Sequence, residues 1–147
     1  MLRLIIVSFI IFFFESASFS NDEYLTLRNE KVNLRQGPSF EYPIKIFYKK
    51  KFLPVLIQEE YGNFKKIKDH ENNSGWIHIS QLSKKKAALS KYENLIVFNS
   101  PTLYSKPLVI LEQGKLCIII KCKNQWCKIK VDKYKGWVKK NTLWGRL

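Results

Sequence analysis

Several groups that catalysis usually draws on are scarce in this chain. It holds two histidines, His70 and His78, and three cysteines, Cys117, Cys122 and Cys127. The histidines fall in one half of the chain and the cysteines in the other, so a Cys–His nucleophile pair would have to bridge the halves. No Cys-x-x-Cys and no paired histidines occur, which argues against a zinc site. Asp and Glu together number 12, and no motif places two of them for acid–base work. The reading is a chain with no catalytic residues, no metal site and no cofactor, and therefore not an enzyme. Glycine is sparse at 6 of 147 residues, and no segment after residue 20 carries a convincing helical period.

The shortage of acid leaves 26 Lys and Arg unbalanced, for a net charge of +14. Two readings stay open. Such a field favours anionic partners such as cell-wall polymers, lipid headgroups or nucleic acid. The excess is nearly all lysine, scattered beside much Ile and Asn, which also fits biased base composition in the gene. The apolar set is dominated by Val, Ile, Phe, Tyr and Trp, which leans towards β structure.

The N-terminus follows the grammar of an export signal. Met1-Leu2-Arg3 is a short basic start, Leu4 to Phe14 is apolar apart from Ser8, and Glu15 to Ser20 offers small residues for cleavage. Residues 1–20 are expected to be a signal peptide, with the mature chain starting near Phe19 or Asn21. The run is shorter than the roughly twenty residues of a spanning helix; an uncleaved anchor is the alternative. No cysteine follows it, which excludes a lipoprotein.

The remainder repeats itself. Val32-Asn33-Leu34-Arg35-Gln36-Gly37-Pro38, Phe64-Lys65-Lys66-Ile67-Lys68 and Gly75-Trp76-Ile77 return as Val97-Phe98-Asn99-Ser100-Pro101, Trp126-Cys127-Lys128-Ile129-Lys130 and Gly136-Trp137-Val138. Nearly constant offsets between these landmarks mean two copies of one unit. Partial alternation of apolar and basic residues marks half-buried strands, and Tyr61-Gly62-Asn63 and Lys123-Asn124-Gln125 mark hairpin turns. At about 50–60 residues a unit, a small closed barrel is favoured because closure removes exposed edges. The expected fold is all-β: two tandem barrels over 24–85 and 93–147. Between them 86–92 is read as a linker, since Ser83 to Lys91 lacks strand pattern. A helical turn, or an anion-binding patch at Lys84-Lys85-Lys86, are the other readings of this join.

Asn33-Leu34-Arg35-Gln36-Gly37-Pro38, then Tyr42-Pro43, an aromatic before Lys-Ile, and a closing Gly-Trp-Ile/Val together resemble the bacterial SH3-like domain. Two copies after a signal peptide resemble a group of exported bacterial proteins made of little else. The resemblance implies SH3-like barrels in the periplasm or cell envelope that bind peptidoglycan or a peptide. The second copy lacks Leu-Arg-x-Gly, so if binding depends on that loop the second copy is structural only.

Arg35, Tyr42, Tyr48, Tyr61 and Trp76 are the candidate ligand contacts. Tyrosine offers a flat apolar face for a sugar or proline and a hydroxyl for hydrogen bonds. Arg35 either pairs with a peptide carboxylate in a bidentate fork or pins its own loop through Glu41 or Asp69. Trp76 and Trp137 either pack at the barrel core or end, or turn one face to a shallow groove. Cys122 and Cys127 are placed for a disulfide if they face each other across their hairpin, though a hydrogen-bonded cross-strand position would forbid it. Cys117 is then a small buried apolar residue.

The functional expectation is a non-catalytic envelope module, with a cell-wall polymer or peptide bound by the first copy. The alternatives are docking on another envelope protein and general polyanion binding through the lysines. Nucleic acid is not expected, because the aromatic–basic pattern of an RNA-binding sheet is missing and export argues against it. Membrane contact is expected only through an uncleaved signal or surface charge.

Overall fold

A computed structural model describes residues 21–147; the expected export signal lies outside the described residues. The first domain has strands β1 (Tyr24–Leu27), β2 (Val32–Arg35), β3 (Ile44–Tyr48), β4 (Pro54–Tyr61), β5 (Phe64–Lys68), β6 (Ser74–His78) and β7 (Leu82–Ser83). The second has β8 (Ala87–Ser90), β9 (Leu95–Phe98), β10 (Pro107–Leu111), β11 (Leu116–Lys123), β12 (Trp126–Val131), β13 (Tyr134–Lys139) and β14 (Leu143–Arg146). The sheet orders are β3-β2-β6-β5-β4-β1-β7 and β10-β9-β13-β12-β11-β8-β14. Adding seven to each strand number of the first order reproduces the second, so the sequence repeat is a repeat of topology. A single 3-10 turn, Ile79–Gln81 or Lys140–Thr142, precedes the last strand of each domain, and among the described residues there is no α-helix.

Hairpin chemistry sets the central three strands of each domain. β4 and β5 meet at Gly62-Asn63, and β11 and β12 meet at Asn124-Gln125. Asn124 and Asp132, which open the turns after β11 and β12, hold positive φ of 54° and 50°, a region that short polar side chains tolerate. The β5–β6 turn is closed by Asp69, whose Oδ1 accepts from the backbone N–H groups of Glu71 and Asn73.

The Gly-Trp pairs mark where two strands come closest. A Cβ on Gly75 would lie 2.7 Å from the Arg35 carbonyl oxygen, and one on Gly136 would lie 2.7 Å from that of Phe98. Only a residue without Cβ admits the β2–β6 and β9–β13 crossings.

Each sheet curls over an aliphatic core. Leu27, Leu34, Val55, Ile67 and Ile77 fill the first, and Val97, Ile129, Val131, Val138 and Cys117 fill the second. The segment read as a linker is corrected here: Ala87–Ser90 form β8, wholly buried between β11 and β14. The domains also touch directly. Leu89, Leu116 and Trp144 of the second pack on the core of the first. Trp144 meets Tyr24 edge-on at 5.2 Å, and Arg146 donates through Nη1 to the Tyr24 carbonyl at 2.7 Å.

Candidate functional site

The loop between β2 and β3 stands on the outer side of the first barrel and is organised by Arg35. Its Nη1 donates to the carbonyl oxygens of Phe40 at 3.0 Å and Tyr42 at 2.9 Å. The guanidinium carbon also lies 5.4 Å from the centroid of the Phe40 ring. Arg35 therefore pins its loop through backbone carbonyls, not through an ion pair with Glu41 or Asp69. Gly37 lets the Tyr42 ring settle against the chain, since a Cβ there would come within 2.5 Å of that ring.

Trp76 is the cross-strand neighbour of Arg35 on one side and of Lys66 on the other. It is half-buried on the outer face, outside the core cluster. With Gln36, Lys45, Lys66 and Ser74 it lines an open cleft of about 500 Å³. The neighbouring row holds Tyr61, Phe64 and His78 in register, with Tyr61 exposed at the hairpin tip.

Phe40 and His78 are not among the contacts expected from the sequence. The Phe40 ring packs 5.2 Å from Phe64 and 5.0 Å from His78, and Phe40 is still 63% exposed. His78 Nδ1 accepts from the Ser80 N–H and so caps the 3-10 turn, which holds the imidazole against the two phenyl rings. The available signals were the place of Phe40 inside the Arg35 loop and the i+2 spacing of His78 from Trp76, which puts both on one face of a strand.

Tyr48 is the candidate the structure removes. It is 8% exposed, belongs to the core, and donates its hydroxyl to Asp69 Oδ2 at 2.8 Å. Burial first, then this bond, raises the phenol above its ordinary range. Of the five candidates, Arg35, Tyr42, Tyr61 and Trp76 remain at the outer surface and Tyr48 does not.

This outer site offers flat rings, backbone amides and the cations of Arg35 and Lys66. Glu59 and Glu60 are paired with Lys66 and Lys65, the former at 3.7 Å. Among the described residues no group of three His, Cys, Asp or Glu side chains is placed to hold a metal ion. The chemistry on display is that of adsorption and stacking.

The family described as bacterial SH3 domain matches twice, over residues 28–84 and 91–145. The chain belongs to the bacterial SH3 domain family. The two matches fall on the two sheets, one bacterial SH3 domain each. No curated protein matches in sequence. Among solved structures, NlpC2 from Trichomonas vaginalis is 12% identical at a TM-score of 0.39, covering 88% of this chain and 50% of that one. NlpC1 from the same organism is 14% identical at 0.37, covering 87% and 47%. An NlpC/P60 family protein from Bacillus cereus is 10% identical at 0.38, covering 83% and 56%. The chain thus spans about half the length of the structures it matches.

Both sulfur expectations can be read in the second SH3 domain. Cys122 and Cys127 are direct cross-strand partners with Cα atoms 4.0 Å apart, and they form a disulfide. That separation belongs to the closer, non-hydrogen-bonded kind of antiparallel pair. Cys117 is a free, fully buried thiol whose pKa is pushed up to about 12 by burial.

Proposed function

We propose that this protein is a non-catalytic module of the bacterial cell envelope, and that its first SH3 domain recognises peptidoglycan or a peptide. The observation that carries the reading is the Arg35-clamped loop, which presents Phe40 and Tyr42 beside Trp76 on a rigid barrel. Loops held in this way on a stiff scaffold are where recognition concentrates. A half-buried indole and an exposed tyrosine suit the apolar faces of sugars and peptide side chains, and Arg35 orders the loop before a ligand arrives, which lowers the entropy cost of binding. Export to the periplasm or envelope is part of the proposal.

The test is co-sedimentation of the mature protein with purified peptidoglycan at low and high salt. Phe40→Ala and Tyr42→Ala should each weaken binding by about 1–3 kcal/mol as contact anchors. Arg35→Ala should weaken it through the released loop. Replacing Lys84, Lys85 and Lys86 together should mainly alter the salt dependence, because exposed charges act through screened attraction. Loss of all binding in the triple-lysine variant, with Tyr42→Ala unaffected, would overturn the reading.

A further inference from the structure

Charge is divided unequally between the two copies. Residues 21–85 hold twelve Lys and Arg against eight Asp and Glu, and residues 86–147 hold thirteen against three. Equivalent strand positions show where the difference lies. In the first domain Glu59 stands opposite Lys66 and pairs with it at 3.7 Å. In the second the same positions are Lys121 and Lys128, a like-charge pair directly across two strands. Lys130 faces Lys135 in the same way on the adjoining strands. Such pairs are unfavourable in the isolated sheet. Among the described residues no ion pair engages Lys121, Lys123, Lys128, Lys130, Lys135 or Lys139.

Aromatic rings are set among these lysines. Trp126 lies between Lys123 and Lys139 in register, and Trp137 lies between Lys128 and Phe98. Lys121 Nζ sits 5.7 Å from the centroid of the Trp137 ring, and Phe98 meets Trp126 edge-on at 6.0 Å. Trp126, Trp137, Pro101, Lys123 and Asn124 line a cleft of about 240 Å³. The Cys122–Cys127 disulfide ties the strands one residue inside the Lys123–Trp126 pair, so the hairpin that carries the cleft is braced.

We propose that this outer face of β11–β12–β13 is a second binding site, and that it takes a linear anionic polysaccharide. Sugar rings lie on the indoles, whose apolar faces match their C–H faces, with Asn124 and Lys123 at the hydroxyl edge. Acidic groups along the polymer neutralise the lysine rows that the fold leaves uncompensated. The face has no arginine, the side chain that grips phosphate in paired bonds and stacks on bases, which disfavours nucleic acid. On β12 and β13 the outward positions between the lysines are filled by half-buried indoles, and the exposed Ile120 beside Lys121 on β11 adds too little apolar surface to seat this face in a bilayer. This site is independent of the one proposed on the first domain.

Polygalacturonate is the probe, followed by titration calorimetry and tryptophan fluorescence. Lys121→Glu/Lys130→Glu should weaken binding by about tenfold or more. The same variant should melt no lower than the unaltered protein, because each replacement turns a like-charge cross-strand pair, Lys121–Lys128 or Lys130–Lys135, into an opposite-charge one. Lys49→Glu/Lys50→Glu removes equal charge from the first domain and should leave most of the affinity, as should Tyr42→Ala. Neutral dextran, polyphosphate, an oligo-dT strand and phosphatidylglycerol vesicles should all bind more weakly. Equal loss in the two double-glutamate variants, unchanged affinity in the Lys121/Lys130 variant, or any of these other probes binding as tightly as polygalacturonate overturns the proposal. Loss of peptidoglycan binding in Tyr42→Ala with polygalacturonate binding intact separates the two sites.

Discussion

The hydroxyl of Tyr48 donates to Oδ2 of Asp69 inside the first barrel, linking the end of β3 to the turn after β5. Asp69 is 3% exposed and also accepts from the Asn73 side chain and from the N–H groups of Asn73 and Glu71. Burial alone would raise its carboxyl pKa. The four bonds outweigh burial and leave it below the ordinary value of 3.8. The charged form is thus built into the turn.

This pair predicts two limbs in the pH dependence of stability. Asp69 has a depressed folded pKa, so its contribution is present above the unfolded carboxylate pKa and is lost as pH falls through the folded one. Tyr48 has a raised folded pKa, so its contribution is present below about pH 10 and is lost as pH rises beyond it. Denaturant titrations across pH should show Tyr48→Phe costing about 1.5–3 kcal/mol at neutral pH, as for a hydrogen bond to a charged group. The same variant should flatten the alkaline limb. An alkaline limb identical to that of the unaltered protein would show that another tyrosine governs it.

Thiol counting tests the second domain. Native protein should react with essentially no thiol reagent, because Cys117 is buried and its pKa is pushed up to about 12. Unfolded, unreduced protein should show one thiol, and three would mean that Cys122 and Cys127 are not joined. Reducing the bond should cost about 2 kcal/mol on the loop-entropy model, since the closed loop is short.

Trp144 tests the contact between the domains. Its ring packs on the first core and against Tyr24 although it belongs to the last strand of the second. Trp144→Ala should lower stability by about 2–4 kcal/mol, somewhat less than for a fully buried tryptophan. Calorimetry should show one transition in the unaltered chain and two, or a broadened one, in the variant. A sharp single transition at the original temperature would show that the contact contributes nothing to cooperativity.

The repeat, the strands, the turns and the cysteine pairing were legible because each is a local pattern. A tight hairpin with a sequence separation of 5 brings Cys122 to Cys127 whatever surrounds it, and the Gly-Trp pairs announce the close crossings at Gly75 and Gly136. Four of the five proposed contacts lie at the surface for a similar reason, as they sit on a loop, a turn tip or the outward side of an alternating strand. Tyr48 lies on the inward side of β3, which the sequence hides because the outward neighbour Phe47 is also aromatic and breaks the apolar–polar alternation. Its hydroxyl finds a partner 21 residues away, a distance over which sequence carries no register.

The sequence by itself determined that this chain is two copies of a small β unit, since periodicity, turn chemistry and landmark spacing are written residue by residue. Tertiary structure alone decided what Arg35 grips, how the lysines of the second copy line up across strands, and that Ala87–Ser90 form a strand. That last segment shows the reason most directly. A strand exposed on one face alternates, but β8 is buried on both, by its own barrel and by the neighbouring one, so its residues are uniformly small or apolar and carry no period to read.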